Sequence, residues 1–261
     1  MNKKWLNISL WALYGILLVL LLSFVNAKEK QVPLQKIEVE IAKDENRFIN
    51  TKDIEQLILK NDSLGKPIIS FKLNELEKII ANHPDIEKAQ IYKSINGVLN
   101  VEIVQRRPIV RVFSADESYY IDENGKLMPV SKRFTARVPV VSLTQKEPYG
   151  IWYKYNFASQ IPDSLAHKTL LDDAFKIARF VRQDKFLNAQ IEQLFVNKEL
   201  DWVLIPKVGN HTIVLGSAED LEAKFKKLKL FYKKAMKNIG WDKYRTINLK
   251  YKNQVVCTKK Q

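Results

Sequence analysis

The chain is poor in the residues that metal sites and covalent cross-links require. Its 261 residues include one cysteine, Cys257, and three widely spaced histidines, His83, His167 and His211. One cysteine excludes an intrachain disulfide, and no cluster at metal-ligand spacing is left to hold zinc. The signatures of nucleophilic or phosphate chemistry are missing too: there is no Gly-x-Ser-x-Gly elbow, no glycine-rich phosphate loop and no His-Glu-x-x-His. Asp172 and Asp173 are neighbours on a predicted helix and cannot both face one site. Asp122 and Glu123 precede a turn, where acids are ordinary. Cys257 lies on a terminal strand with no histidine near it in sequence. Neither a cofactor nor a small-molecule substrate is expected.

Long apolar runs are also absent from the last 236 residues, which makes the one at the start decisive. Leu6 to Val25 is interrupted only by uncharged residues, and twenty helical residues span about 30 Å, the thickness of a bilayer's hydrocarbon core. Lys3 and Lys4 before it, with Val25-Asn26-Ala27 after it, would also suit a cleaved signal peptide, but the apolar stretch is longer than such peptides use. A retained membrane anchor over 6–25 is therefore the favoured expectation. Residues 1–5 form a short tail on the cytoplasmic side, and the folded part lies outside, beyond the membrane. Lys28 and Lys30 nearly balance Lys3 and Lys4, so orientation follows from the large hydrophilic region rather than from flanking charge.

That region is globular by composition, with 46% hydrophobic and 28% charged residues. The formal net charge of +14 is not read as nucleic-acid binding, because an exported domain does not meet the genome. Lysines concentrate modestly at Lys224 to Lys237 and at Lys250 to Lys260. A solvated basic surface is the simplest account; attraction to lipid headgroups or to an acidic partner is the alternative.

Residues 26–35 read as a linker. From Lys36, Ile37, Val39 and Ile41 alternate with Glu38 and Glu40 as a half-buried strand. Asn50 or Thr51 caps a helix carrying Ile54, Leu57 and Ile58, and Asn74 with Glu77 predicts a second capped helix burying Leu76, Ile79 and Ile80. Ile86 to Lys93 and Val98 to Val104 form a hairpin turning at Asn96-Gly97. Beyond Pro108 come strands at Ile109 to Phe113, Tyr119 to Ile121, Leu127 to Val130 and Val138 to Leu143. A long helix from Ser164 to about Asp184 follows. Next are strands at Gln190 to Val196, Asp201 to Ile205 and Thr212 to Leu215, then a helix capped by Ser217, and a closing strand from Thr246 to Cys257. The fold class is α+β.

The order strand, helix, helix, strand, strand after a single span resembles the POTRA domain of the bitopic cell-division family FtsQ/DivIB. The Gln105-Arg106-Arg107-Pro108 stretch is similar to that family's acid-Arg-x-Pro, and Tyr119-Tyr120-Ile121-Asp122 with Gly125 to its aromatic-hydrophobic-Asp-x-x-Gly hairpin. Thr212 to Gly216 followed by Leu221, Lys224 and Leu228 resembles its Leu-Gly strand and Leu-x-x-Lys helix. Ile247-Asn248-Leu249-Lys250-Tyr251 resembles its closing Val-Asp-Leu-Arg-Tyr. Gln105 and Asn248 replace acids, and Val140-Val141-Ser142 lacks an expected glycine.

The resemblance implies a POTRA domain over 36–107, a family-specific β domain over 108–257 with an antiparallel-rich sheet and two long helices, and a tail over 258–261. It implies a non-enzymatic divisome scaffold at the septum, binding FtsB- and FtsL-type bitopic partners and reaching other division proteins through the POTRA domain. The closing strand is then the partner edge, with Ile247, Leu249, Lys250, Tyr251, Asn253, Gln254, Val255 and Val256 as its contact residues. Lys250 stands where the family's arginine meets a partner acid. A POTRA component of another export assembly and an anchored periplasmic enzyme are the alternative readings.

Overall fold

Alternation in Lys36–Ile41 buries Ile37 and leaves Lys36, Glu38 and Glu40 in water, and this segment is strand β1 (Lys36–Ile41). The computed structural model describes residues 11–21, 32–42, 47–61, 64–159, 161–162, 165, 168–236 and 239–260. Residues 11–21 are helical (α1), with Trp11, Leu17 and Leu20 exposed. The remainder of the expected 6–25 span lies outside the described residues, and no described helix is long and apolar enough to cross a membrane. The chain divides into two units, Met1–Gln105 and Arg106–Gln261.

In the first unit, α2 (Thr51–Asn61) and α3 (Leu73–Ala81) lie on one face of a three-stranded sheet. Its order is β1-β3-β2, where β2 is Ile86–Lys93 and β3 is Val98–Gln105. Asn50 caps α2 reciprocally: its Oδ1 accepts from Asp53 N at 2.9 Å, and Asp53 Oδ2 accepts from Asn50 N at 3.3 Å. The cap expected at Asn74 does not form. Asn74 lies within the first turn of α3, behind Lys72 at the N-cap, and Ile79 is only half-buried. Glu77 instead turns away to accept from Ile91 N at 2.9 Å, covering a ladder donor on the outer side of β2. Gln105 is buried, and its Oε1 accepts from Ile49 N at 3.1 Å; an amide oxygen does here what a carboxylate could do.

The second unit is one nine-stranded sheet in the order β12-β11-β10-β9-β8-β7-β4-β5-β6. Its strands are β4 (Pro108–Ser114), β5 (Glu117–Asp122), β6 (Leu127–Pro129), β7 (Val140–Leu143), β8 (Ile191–Val196), β9 (Trp202–Pro206), β10 (Thr212–Gly216), β11 (Tyr244–Asn248) and β12 (Val256–Lys259). Five neighbouring pairs are antiparallel and three, β4·β7, β7·β8 and β10·β11, are parallel. The helices are α4 (Tyr149–Trp152), α5 (Leu171–Gln183), α6 (Lys185–Gln190) and α7 (Leu221–Phe231), the last continued by a π turn over Tyr232–Met236. Leu171, Phe175, Ile177 and Val181 of α5 join Phe225 and Leu228 of α7 and the inner strand residues in one core. Phe180 and Phe225 stack at 5.1 Å between the two helices.

Three expectations need correction here. Ser164, where the long helix is predicted to begin, lies outside the described residues; the long described helix starts at Leu171, where Thr169 and Glu147 take its first donors: Leu171 N bonds Thr169 Oγ1 and Leu170 N bonds Glu147 Oε1. It ends at Gln183, and Asp184 caps α6 by accepting from Phe186 N and Leu187 N. Ser217 is no helix cap; Asp220 occupies that position at φ 50°, and Ser217 receives Lys224 Nζ on its carbonyl at 2.9 Å and on its hydroxyl at 3.3 Å. The closing strand is not continuous, as described below.

One buried charge organises the entry to this sheet. Asp122, fully buried, accepts from Arg106 Nη1 at 2.8 Å, Lys126 N at 2.7 Å and Asn124 N at 3.0 Å. Burial pushes its pKa up, while Arg106 and the two backbone donors pull it down. The turn it closes needs Gly125, at φ 77°, since a Cβ there would lie 2.2 Å from Ala158 N. Arg106 is thus an internal partner, and Arg107 sits 3.8 Å from Glu123. Asp122→Ala leaves a mostly buried guanidinium without its acid and is expected to cost about 3 kcal/mol. Denaturant unfolding followed by tryptophan fluorescence measures it; a loss under about 1 kcal/mol would show that the pair is not structural.

Candidate partner-binding edge

The residues expected to form one long closing strand instead form a hairpin, and local chemistry explains the break. Asn248 Oδ1 accepts from Lys250 N at 3.0 Å, an Asx turn that bends the chain at the end of β11. Asn253 then adopts φ 59°, the left-handed region that asparagine tolerates. Lys227 reaches from α7 and donates to Leu249 O at 2.8 Å and to Tyr251 O, which holds the loop against the helix. The chain returns as β12, antiparallel to β11, pairing Asn248 with Val256, Ile247 with Cys257 and Thr246 with Thr258.

This distributes the eight expected contact residues unequally. Ile247 is on β11, an interior strand, and both it and Leu249 are fully buried. Lys250 is exposed but engaged: its Nζ lies 2.7 Å from Asp201 Oδ2, which raises its pKa. Its stem passes over Gly216, where a Cβ would approach Lys250 Cγ to 2.8 Å. Tyr251, Asn253 and Gln254 are exposed in the loop, Val255 is half-buried, and only Val256 belongs to the outermost strand. The edge therefore consists of Val256, Cys257, Thr258 and Lys259. The last three lie outside the expected contact set, although Asn253 is a turn signal and Val256 and Thr258 share a period-two face.

As the end of the sheet order, β12 carries ladder groups on its outer side that no described strand occupies. Backbone N–H and C=O groups of alternate residues can accept a further strand there. Burial pushes the Cys257 thiol up, which keeps it protonated and suits a packing residue on the core side opposite Ile247.

The root of the hairpin is an aromatic cluster. His211 is buried with Nε2 2.8 Å from the Tyr232 hydroxyl, and its ring stacks on Trp241, just before β11, at 25°. Lys260 N, just after β12, donates to Lys243 O at 3.1 Å. Burial chiefly, and the Lys260 charge next, hold His211 below its usual 6.5, against smaller upward pulls from a backbone hydrogen bond at Trp241 and from the Asp242 charge. A depressed histidine pKa means that the unfolded chain takes up the proton first. Stability should therefore fall as pH drops below about 6.5. Melting temperatures between about pH 7.5 and 5 should show this slope, and His211→Gln should flatten it. An equal slope in the variant would assign the acid sensitivity elsewhere.

Two sequence-family models match the chain. One described as FtsQ/DivIB, C-terminal related, matches residues 107–258, and one described as a POTRA-like domain matches residues 33–104. No curated protein is similar enough to count as a relative.

Proposed function

This chain belongs to the FtsQ/DivIB family, and from that membership we propose a non-enzymatic scaffold of the bacterial divisome that links early and late division proteins. The observation that carries the reading is the ordered pair of matches, a POTRA-like domain followed by the family's C-terminal domain, over most of the chain. A POTRA component of another assembly would share only the first of these. In this reading the 6–25 segment anchors the chain in the inner membrane, the amino terminus is cytoplasmic, and both units work in the periplasm at the septum. A fluorescent fusion should form a midcell band in dividing cells; uniform membrane fluorescence would count against a divisome role.

The two units supply two kinds of docking. In the first, β1 is the open edge, since Glu77 already takes Ile91 N on the other side of the sheet. A strand added beside β1 would recruit the protein to the division site. Removing residues 36–105, which keeps Arg106 on Asp122, should abolish the midcell band while the second unit still unfolds cooperatively. A normal band in that variant would refute the assignment.

In the second unit, β12 receives a strand from a small bitopic partner of the FtsB type, within a complex that includes an FtsL-type protein. Val256 and Thr258 face that strand's side chains, and the Tyr251 ring flanks it. Lys250→Glu is a poor probe, because it places an acid against Asp201. Proline at Cys257 and at Thr258 removes neighbouring N–H groups, one directed at β11 and one at the open side. The folded variant of the two should lose at least about tenfold in partner affinity, roughly the 1.4 kcal/mol of one good ladder bond. If both fold and both bind as wild type, β12 is not the edge.

A further inference from the structure

The positive charge of this protein is segregated. Residues 223–261 hold 13 of its 43 Lys and Arg but one of its 29 acids, Asp242, and so carry +12 of the net +14. The other 222 residues are nearly neutral. The segment builds α7, its π turn, β11 and β12, which lie together at one end of the nine-stranded sheet.

Five of these cations are used internally. Lys224 is buried on Ser217, Lys227 holds the hairpin loop, and Lys229, Lys250 and Lys260 face Asp184, Asp201 and Asp242. Lys226, Lys233, Lys243, Arg245, Lys252 and Lys259 are exposed and meet no acid among the described residues. Lys226 on α7 and Lys233 in its π turn are seven residues apart and exposed, while Phe225, Leu228 and Tyr232 are buried. Leu230 lies between them and is 52% exposed. Tyr251, next to Lys252, is 49% exposed.

We propose that this lysine-rich end of the second unit docks on an anionic lipid surface. Three features select lipid over an acidic protein. The cations are twelve lysines to one arginine, and lysine is a hydrated point charge suited to diffuse headgroup phosphate, whereas paired carboxylates favour the arginine fork. They are spread over a helix, a loop and a hairpin instead of converging on one groove. The exposed Leu230 and Tyr251 sit among them as an apolar and an aromatic residue do at a headgroup boundary. Each lysine near an anionic surface contributes about 1 kcal/mol. Strand capture by β12 uses backbone groups in the plane of the sheet, so it does not compete with Lys226 and Lys233 on the helix side, whereas Tyr251, Lys252 and Lys259 adjoin the edge itself.

The test uses the full chain reconstituted in phosphatidylcholine vesicles, or in the same vesicles with a quarter of the lipid as phosphatidylglycerol. A membrane-impermeant amine reagent reports each lysine by mass spectrometry. Labelling of Lys226, Lys233, Lys252 and Lys259 should fall about fivefold in the anionic vesicles and recover in high salt, while Lys88 of the first unit stays unchanged. Changing all four to glutamate should abolish any difference between the two vesicle types in labelling of neighbouring Lys243. Equal labelling of the wild type in both vesicle types overturns the proposal. So does protection that appears only when an acidic protein partner is added to neutral vesicles. Flotation with neutral vesicles reads the anchor separately, so failure of the anchor and failure of the docking are distinguishable.

Discussion

A carboxylate with no access to water sets the second unit's architecture. Asp122 ends β5, and its oxygens are shared among an arginine at the start of the unit and the backbone of its own turn. Removing an ion from water costs several kcal/mol, so such a group persists only where every lone pair is answered. Answering them fixes three things together: Arg106 ahead of β4, the reversal at Gly125, and the antiparallel pairing of β4 with β5. These two strands carry the outer third of the sheet, which ends at β6. The motif that resembles an aromatic-hydrophobic-Asp-x-x-Gly signature is therefore a packing device, and its glycine is required by the backbone of Ala158.

The opposite end of the sheet is held by cations. Lys227 caps carbonyls that the break after β11 leaves without ladder partners, and Lys250 lies across Gly216 toward Asp201. Lys229 closes the same end by bonding Asp184, the cap of α6, at 2.6 Å. A chain that keeps its last strand only four residues long, behind a pinned loop, presents a narrow edge instead of a long one. Short edges flanked by lysine resist indiscriminate strand addition, so whatever pairs with β12 must be matched to those four residues and to the loop beside them.

How much of this was legible follows from the range of each signal. The βααββ order of the first unit is written in periods of 2 and 3.6 within ten residues, and the helix start is legible at Asn50 or Thr51, between which the structure selects Asn50 through its bond with Asp53. Glu77 was misread as a capping partner because its true acceptor role, toward Ile91, is set by how α3 packs on β2. Lys250 has its acid 49 residues away, and Lys227 its carbonyls 22 and 24 away; no spacing rule reaches them. The closing hairpin is a different case. Asn253 is a local turn signal, yet the expected closing strand runs through it, and six of the eight expected contact residues, Leu249 to Val255, fall between β11 and β12.

The same end of the fold thus carries two properties that usually conflict. A strand edge must admit a partner, and a dense cationic surface repels any partner that is itself basic. Segregation resolves this, because five of the thirteen cations are engaged inside the fold, Lys227 among them on the hairpin loop, while Lys226 and Lys233 stand on the helix and its π turn, off the ladder. Lysines spent internally rigidify β12, which lowers the ordering cost of adding a strand. Those left over act through space, over roughly a Debye length of 8 Å in physiological salt. They can orient the edge toward an anionic surface without touching the strand that pairs with it. On the two proposals together, backbone geometry determines what is captured, and the lysines determine where.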